Sequence, residues 1–461
     1  MKLKKSILLI GMSLMMAAGV VGCGGNKEEE PTEDVVDDVD VDEDDDTEAE
    51  APGDQVLKVA ALESGYGAEM WKEVTAAFQE ANPGVTVELQ TDKNIESVIS
   101  PNMKAGEYPD VVLLAVSRED ALTETLTKEK GLLNLMDVLE MEVPGEGVTV
   151  SQKLVPGFTD TLVTNPYADN ETYLAPMFYS PCGLFYNEAL LEEKGWEVPT
   201  TWDEMWELGE AAKAEGIALF TYPTAGYLDA FMYALLAETG GADFYNEAMM
   251  YSEEAWESDA AQEAFDIVAK LAEYTHETTV ANANDDNFQK NQQLILDNQA
   301  IFMPNGTWVV EEMKEAPRAE GFKWGFTALP AAEEGGDGYS YTFFEQIWIP
   351  AAAENQDLAK EFVAYMYSDE AAAIFAKSGA IQPIEGISEM LEGENELFYS
   401  IYDTGAKAVM GGFAATEPVE GVNINDTLFQ TVNSIITGDK TVAEWREAVI
   451  EDAAKLRDAL Q

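Results

Sequence analysis

The sequence predicts an α/β protein of two domains, and three observations carry that reading. Apolar runs of strand length alternate with amphipathic stretches of helical period. The 407 residues from Gln55 to Gln461 exceed what a single core organises, and no segment recurs at a fixed period as a solenoid or propeller would require.

Ahead of that body, Met1 to Gly25 combine Lys2, Lys4 and Lys5 with an apolar run from Ile7 to Val21 and small residues before Cys23. This is the pattern of a secretory signal at residues 1–22, and the run is shorter than the roughly 20 residues that span a bilayer. Val20-Val21-Gly22-Cys23 resembles the bacterial lipobox, with Val where Leu is usual, so Cys23 is expected to carry lipid and tether the chain to the membrane. Residues 23–54 then form a linker. Gly24 to Asp54 hold sixteen Asp and Glu against the single Lys27, with Pro31, Pro52 and Gly53 and no aromatic residue. Such a segment cannot bury enough apolar surface to order itself, and an extended, self-repelling spacer is expected.

Charge and residue usage narrow the chemistry. The formal net charge of −62 becomes −65 without the three signal lysines and −50 without the linker as well. A body that acidic repels nucleic acid and anionic ligands, so neutral molecules are the natural clients. With Cys23 lipidated, Cys182 has no partner for a disulfide, and it is expected to be a small buried hydrophobe. His276 is the only histidine, which argues against histidine-built zinc sites and His-based nucleophilic catalysis. No phosphate loop, dinucleotide fingerprint or metal motif is present, and no cofactor or metal is expected.

The elements follow in order. Val56 to Leu62 is a buried-strand run, Ala68 to Asn82 has helical spacing through Met70, Trp71, Val74, Phe78 and Ala81, and Pro83-Gly84 stops it. Val85 to Leu89 is a second strand, Ile95 to Ala105 a helix, and Tyr108 to Leu114 a third strand. This order implies a parallel sheet with covered faces, whose ligands sit beyond the carboxyl ends of the strands, at the loops beginning with Glu63 and Ala115. Tyr173 to Asn187, YLAPMFYSPCGLFYN, suits a strand crossing between domains. Trp202 to Ala214 is a helix capped by Thr200 or Thr201 with Glu204. Ile217 to Thr221 is a strand, Tyr227 to Thr239 and Asp259 to Glu273 are helices, and Gln299 to Met303 is a strand that runs into Pro304-Asn305-Gly306-Thr307-Trp308.

Five stretches recur together as they do in the family 1 extracellular solute-binding proteins of carbohydrate ABC transporters, which the chain resembles. They are VLKVAALESGYGAEMWKEVTAAFQEANPGVTVEL, AGEYPDVVLL, GLFYNEALLEEKGWEVPTTWDEMWELGEAAKAEGIALFTY, QAIFMPNGTWVVEEM and DLAKEFVAYMYSDEAAAIFAKSGAIQP. The PTTWDEM and KAEGIALFTY pieces look most like the branch that binds N-acetylglucosamine and chitobiose. The resemblance implies a two-lobed periplasmic-binding-protein-like fold of class II, with a hinge of three crossings and a ligand cleft between the lobes. One lobe would take residues 55–176 and 329–382, the other 177–328 and 383–461. It also implies a monomeric binding protein, not an enzyme, that captures a neutral saccharide and delivers it to the transmembrane subunits of an ABC permease, on the outer surface of a Gram-positive cell. A surface sensor or adhesin with the same cleft, and a secreted glycoside hydrolase, are the alternatives.

A pyranose offers apolar C–H faces and a rim of hydroxyls, so flat aromatics and multiply hydrogen-bonding side chains suit it. The loops offer Tyr66, Phe178, Tyr179, Tyr222, Tyr227, Trp308, Phe343, Phe344 and Phe413. Trp308 in MPNGTW matches the family's stacking aromatic, and Glu63, closing the first strand, matches a polar contact. The expected ligand set is Glu63, Tyr66, Tyr179, Tyr222, Trp308, Phe344, Glu345 and Phe413. Trp71, Trp202 and Trp206 fall on helix faces and are expected in the core, Asp110 in a cap or turn, and His276 at the surface.

Overall fold

The computed structural model describes residues 55–460 apart from Gly65, Ser117, Glu119, Ala168, Asp285 and Ala415. The expected signal, the lipidated Cys23 and the acidic spacer lie outside the described residues. β1 (Gln55–Leu62) is flanked by two parallel partners, β2 (Val85–Asp92) and β3 (Val111–Leu113). The helix Glu69–Ala81 between β1 and β2 buries Met70, Trp71, Val74 and Phe78, the stripe its sequence spacing predicts. Asp110, fully buried, accepts the Lys58 N–H at 2.9 Å and the Asn355 N–H at 3.0 Å, which fastens β1 to the start of the helix Gln356–Met366.

Six further strands follow: β4 (Ala175–Asn187), β5 (Ala218–Phe220), β6 (Ala300–Gly306), β7 (Trp324–Thr327), β8 (Tyr339–Trp348) and β9 (Lys407–Val409). Their order is β2-β1-β3-β8-β4-β6-β5, with β7 beside β4 and β9 beside β8. β8 pairs antiparallel with β3 and with β4, and β4 pairs antiparallel with β6 and β7. The two long strands β4 and β8 therefore connect the parallel β1-β2-β3 group to the strands of the second half.

Apolar side chains gather into two cores. The first holds β1, β3 and the helices Glu69–Ala81, Gln356–Met366 and Asp369–Lys377, with Trp71 against Phe178 at 5.9 Å and Phe375 at 5.3 Å. The second holds the helices Trp202–Ala214, Leu228–Met249, Asp259–Ala272 and Val442–Arg457, with Phe265 edge-on to Trp445 at 4.6 Å. Thr201 caps the helix Trp202–Ala214 reciprocally with Glu204. Trp202 and Trp206 are core residues, stacked on each other at 5.4 Å. β9 sends Ala408 into the first core and Val409 into the second.

The first core also takes in residues beyond Gln382. Phe398, Tyr399, Ile401 and Tyr402, on the helix Glu394–Asp403, join the first core. The physical reason is that this helix packs on the far side of β4 and β8. The Tyr399 hydroxyl donates to the Tyr179 carbonyl at 2.8 Å and the Tyr402 hydroxyl to Ser340 Oγ at 3.2 Å, both buried. No helix among the described residues is long and apolar enough to cross a membrane.

Tyr399→Phe keeps the ring and removes the bond to the strand, so it should destabilise the protein by about 0.5–1.5 kcal/mol in urea unfolding, with an unchanged slope. An unfolding midpoint equal to wild type would show that this hydroxyl does not hold the strand.

Candidate ligand cleft

Where β4 and β8 pair, Phe178 faces Glu345, Tyr179 faces Phe344, Ser180 faces Phe343 and Pro181 faces Thr342. Side chains alternate along a strand, and directly opposed residues share a face. One face therefore carries Phe178, Ser180, Cys182, Tyr341, Phe343 and Glu345. The other carries Tyr179, Pro181, Ser340, Thr342 and Phe344. The two faces differ most at Phe343 and Tyr179. On the first, Phe343 is 45 % exposed, an unusual fate for a phenylalanine in a central strand. On the second, Tyr179 is closed in by Phe158, Tyr399 and Tyr402 at 5.0, 4.8 and 5.5 Å.

Aromatic rings line the open face toward the second core. The Trp308 indole stands 5.8 Å from Phe343 and 6.4 Å from Tyr227, Phe343 stands edge-on to Tyr341 at 5.2 Å, and Tyr341 lies 5.3 Å from Tyr233. Gly306, paired with Cys182 at the end of β6, makes room for the indole, since a Cβ there would lie 2.0 Å from its Cζ3. Asp229, in the first turn of the helix Leu228–Met249, sits among these rings. Burial lifts its carboxyl to about 6, opposed by the N–H groups of Ala230 and of Asp229 itself. Asp229 precedes Tyr233 by one helical turn, and the Tyr233 ring lies 5.3 Å from Tyr341, which places the carboxyl at this end of the floor.

Polar groups gather at the other end, at the carboxyl ends of β1 and β3. Burial lifts Glu345 to about 7, against the opposing pull of Ser64 and then Arg118. Ser64 lies beside the carboxylate without closing a hydrogen bond: its Oγ and Glu345 Oε2 are both buried and unpartnered. The Arg118 Nε donates to Glu96 at 2.7 Å and its terminal nitrogen to the Lys93 carbonyl at 3.2 Å, so the guanidinium is engaged elsewhere. Tyr66 is partly buried, edge-on to Phe178 at 5.7 Å, and burial and then the charge of Glu345 raise its hydroxyl pKa.

The eight expected site residues thus separate. Trp308, Tyr66 and Glu345 line the open face or its rim, and Glu63 is partly buried at the exit of β1, one residue before Ser64. Tyr179 and Phe344 lie on the far face, because Phe344 cannot point the same way as its neighbour Glu345; its ring meets Phe158 at 6.3 Å. Tyr222 lies in the second core, where it is fully buried and its hydroxyl donates to Asn433 at 2.6 Å. The small cavity beside it holds about 10 Å³, room for no more than a water. Phe413 stacks on Tyr251 at 5.4 Å and Trp256 at 6.0 Å and meets Tyr233 at 6.2 Å, so it backs the aromatic wall. Asp229, Ser64, Tyr341 and Phe343 were missing from the expected set. A lone carboxylate in the apolar run YLDAFMYALLA was the available signal for Asp229, and the two-residue period from Glu345 was the signal for Phe343.

Residues 73–396 match the family described as bacterial extracellular solute-binding protein. The chain belongs to that family. Among relatives of this solute-binding protein, the diacetylchitobiose binding protein NgcE of Streptomyces coelicolor is 24 % identical over 336 residues, 71 % of this chain and 69 % of that one. A multiple sugar-binding protein of Streptococcus mutans is 22 % identical over 69 % of this chain and 73 % of its own. Solved structures share the two-lobed α/β fold. The solute receptor AcbH superposes with a TM-score of 0.65 at 18 % identity, over 88 % of this chain and all of the other. RafE of Streptococcus pneumoniae superposes with a TM-score of 0.61 at 18 % identity, over 88 % of this chain and 98 % of the other. Members of the family are binding proteins.

If the indole of Trp308 is a stacking surface for ligand, Trp308→Ala should cost about 1–3 kcal/mol of binding energy in fluorescence titration. The ligand-free fold should lose less than the roughly 3–5 kcal/mol of an emptied core site. Gly306→Ala, which pushes the indole aside, should reproduce part of the affinity loss. Intact affinity in Trp308→Ala with a collapsed fold would assign the ring to the core.

Proposed function

We propose that this protein is the substrate-binding component of a carbohydrate ABC importer, capturing a saccharide outside the membrane and passing it to the permease without changing it. The observation that carries the reading is the open face of β4 and β8: exposed Phe343 and partly buried Trp308, with a Glu345 carboxylate oxygen that lacks a partner on the same face. Rings of that kind take the C–H faces of a sugar, and the polar groups take its hydroxyls. Glu63, Tyr66, Trp308, Phe343 and Glu345 form the ligand set in this reading. The names of the relatives, which include binders of diacetylchitobiose, of multiple sugars and of arabinooligosaccharides, support the same ligand class. The family's sharing of the fold supports a division into two lobes that close on the sugar.

In this reading the chain is secreted through residues 1–22, lipidated at Cys23 and held off the membrane by its acidic spacer as a monomer. Cys23→Ala should then move the protein from the membrane fraction to the soluble one while leaving sugar binding intact. Retention in carbonate-washed membranes would remove the anchor from the account.

Titration against a panel of mono- and oligosaccharides, with product chromatography over a day, tests the function itself. A saccharide should bind, should add about 2.7 kcal/mol of stability at 100 times its dissociation constant, and should be recovered unchanged. Release of reducing ends that stops when one cleft carboxylate is replaced would move the protein to the hydrolases.

A further inference from the structure

We propose that the cleft reads a saccharide of at least two linked rings by hydrogen-bonding it at both ends, Glu345 holding one end and Asp229 the other across the aromatic floor. The inference rests on the saccharide-binding reading above and adds ligand length and the two polar determinants to it.

The argument begins with spacing. Tyr341, beside Asp229, and Glu345 lie on the same face of β8, four residues apart, which at about 3.3 Å per residue is roughly 13 Å. A single pyranose cannot reach both positions, and linked rings can. The floor between them is Phe343, exposed, with Trp308 beside it. Stacking surface thus lies where the middle of the ligand would lie, and acceptors lie where its ends would lie.

Partner accounting gives the second step. Glu345 Oε2 and Ser64 Oγ are buried without partners, and the Asp229 carboxylate is bonded to the Ala230 N–H of its own helix. Neither carboxylate belongs to an ion pair among the described residues; Arg118, whose charge acts on Glu345, is engaged by Glu96. An ionised carboxylate only accepts hydrogen bonds, and sugar hydroxyls donate them. A ligand without a hydroxyl at the Glu345 end leaves a buried acceptor unpaired, and this is the arrangement that discriminates strongly.

The same bonds link binding to protons. The groups facing Glu345 are Ser64, Tyr66 and Arg118, and those around Asp229 are Cys182, Tyr227, Tyr233, Tyr245 and Tyr341. Apart from Arg118, all are neutral near pH 7. With Glu345 raised to about 7 and Asp229 to about 6, each is partly protonated just below neutrality. Donation from hydroxyls favours the ionised form, so ligand uptake releases protons and affinity falls as the solution is acidified.

The test titrates wild type, Glu345→Gln and Asp229→Asn with two pairs of probes: N-acetylglucosamine with N,N′-diacetylchitobiose, and galactose with raffinose. Titrations are run at about pH 8 and about pH 5, with unfolding curves of the sugar-free proteins as the control. For the pair that binds, the oligosaccharide should bind at least about tenfold more tightly than the monosaccharide, and each substitution should weaken it about tenfold or more, the scale of one charge-assisted bond. Wild-type affinity should fall between the higher and the lower pH, and the fall should shrink in each variant. Equal binding of mono- and oligosaccharide by wild type, or full oligosaccharide affinity in both variants, overturns the inference and leaves the binding function standing. Failure of wild type to bind any of the four overturns both.

Discussion

The antiparallel pairing of β4 with β8 is the constraint on which the rest of the structure depends. These two strands join the two cores, and alternation gives their ribbon two unlike faces. One face is filled by tyrosines and phenylalanines and fastened by tyrosine hydroxyl bonds; the other holds an exposed phenylalanine and a Glu345 carboxylate oxygen without a partner. A fixed register is what keeps those roles apart. Slipping the pairing by one residue would send Glu345 into the buried face and Phe344 into solvent.

The tyrosine cluster behind the ribbon answers the polar demands of a buried crossing. Tyr399 bonds to the carbonyl of Tyr179, Tyr402 to Ser340, and Tyr367 to the carbonyl of Pro176 at 2.6 Å. Each anchors backbone or an adjacent hydroxyl with the far end of a rigid, apolar ring, so the strand is held without charge in the interior. The open face, by contrast, keeps two carboxylates whose burial raises their pKa values to about 7 and about 6 and which form no ion pair among the described residues. Left as they are, such groups weaken the free protein; a ligand that donates to them recovers that cost as affinity.

Much of the architecture was legible in the sequence because each element carried its own period. The alternation from Val56 to Leu114, the helix Trp202–Ala214 with its Thr201 and Glu204 cap, and the core placement of Trp71, Trp202 and Trp206 all followed from local patterns. The floor of the cleft was less legible because parity along a strand depends on register. The bulge between Pro176 and Phe178 shifts β4 by one residue against β8, and no local pattern in YLAPMFYSPCGLFYN records it. That shift decides that Tyr179 points to the back while Phe178 and Ser180 point to the front. Asp229 was hidden for a different reason. Its neighbours Cys182 and Tyr341 are brought to it from 47 and 112 positions away in the chain, so only the fold shows what surrounds it.

A crystal structure of the protein with a bound oligosaccharide tests this arrangement most directly. The account predicts sugar rings against Trp308 and Phe343, with hydroxyls within about 3.2 Å of the Glu345 and Asp229 carboxylates and the tyrosine cluster behind β4 and β8 unmoved. A sugar bound away from the open face, or rings seated among Tyr179, Tyr222 and Phe344, would contradict it.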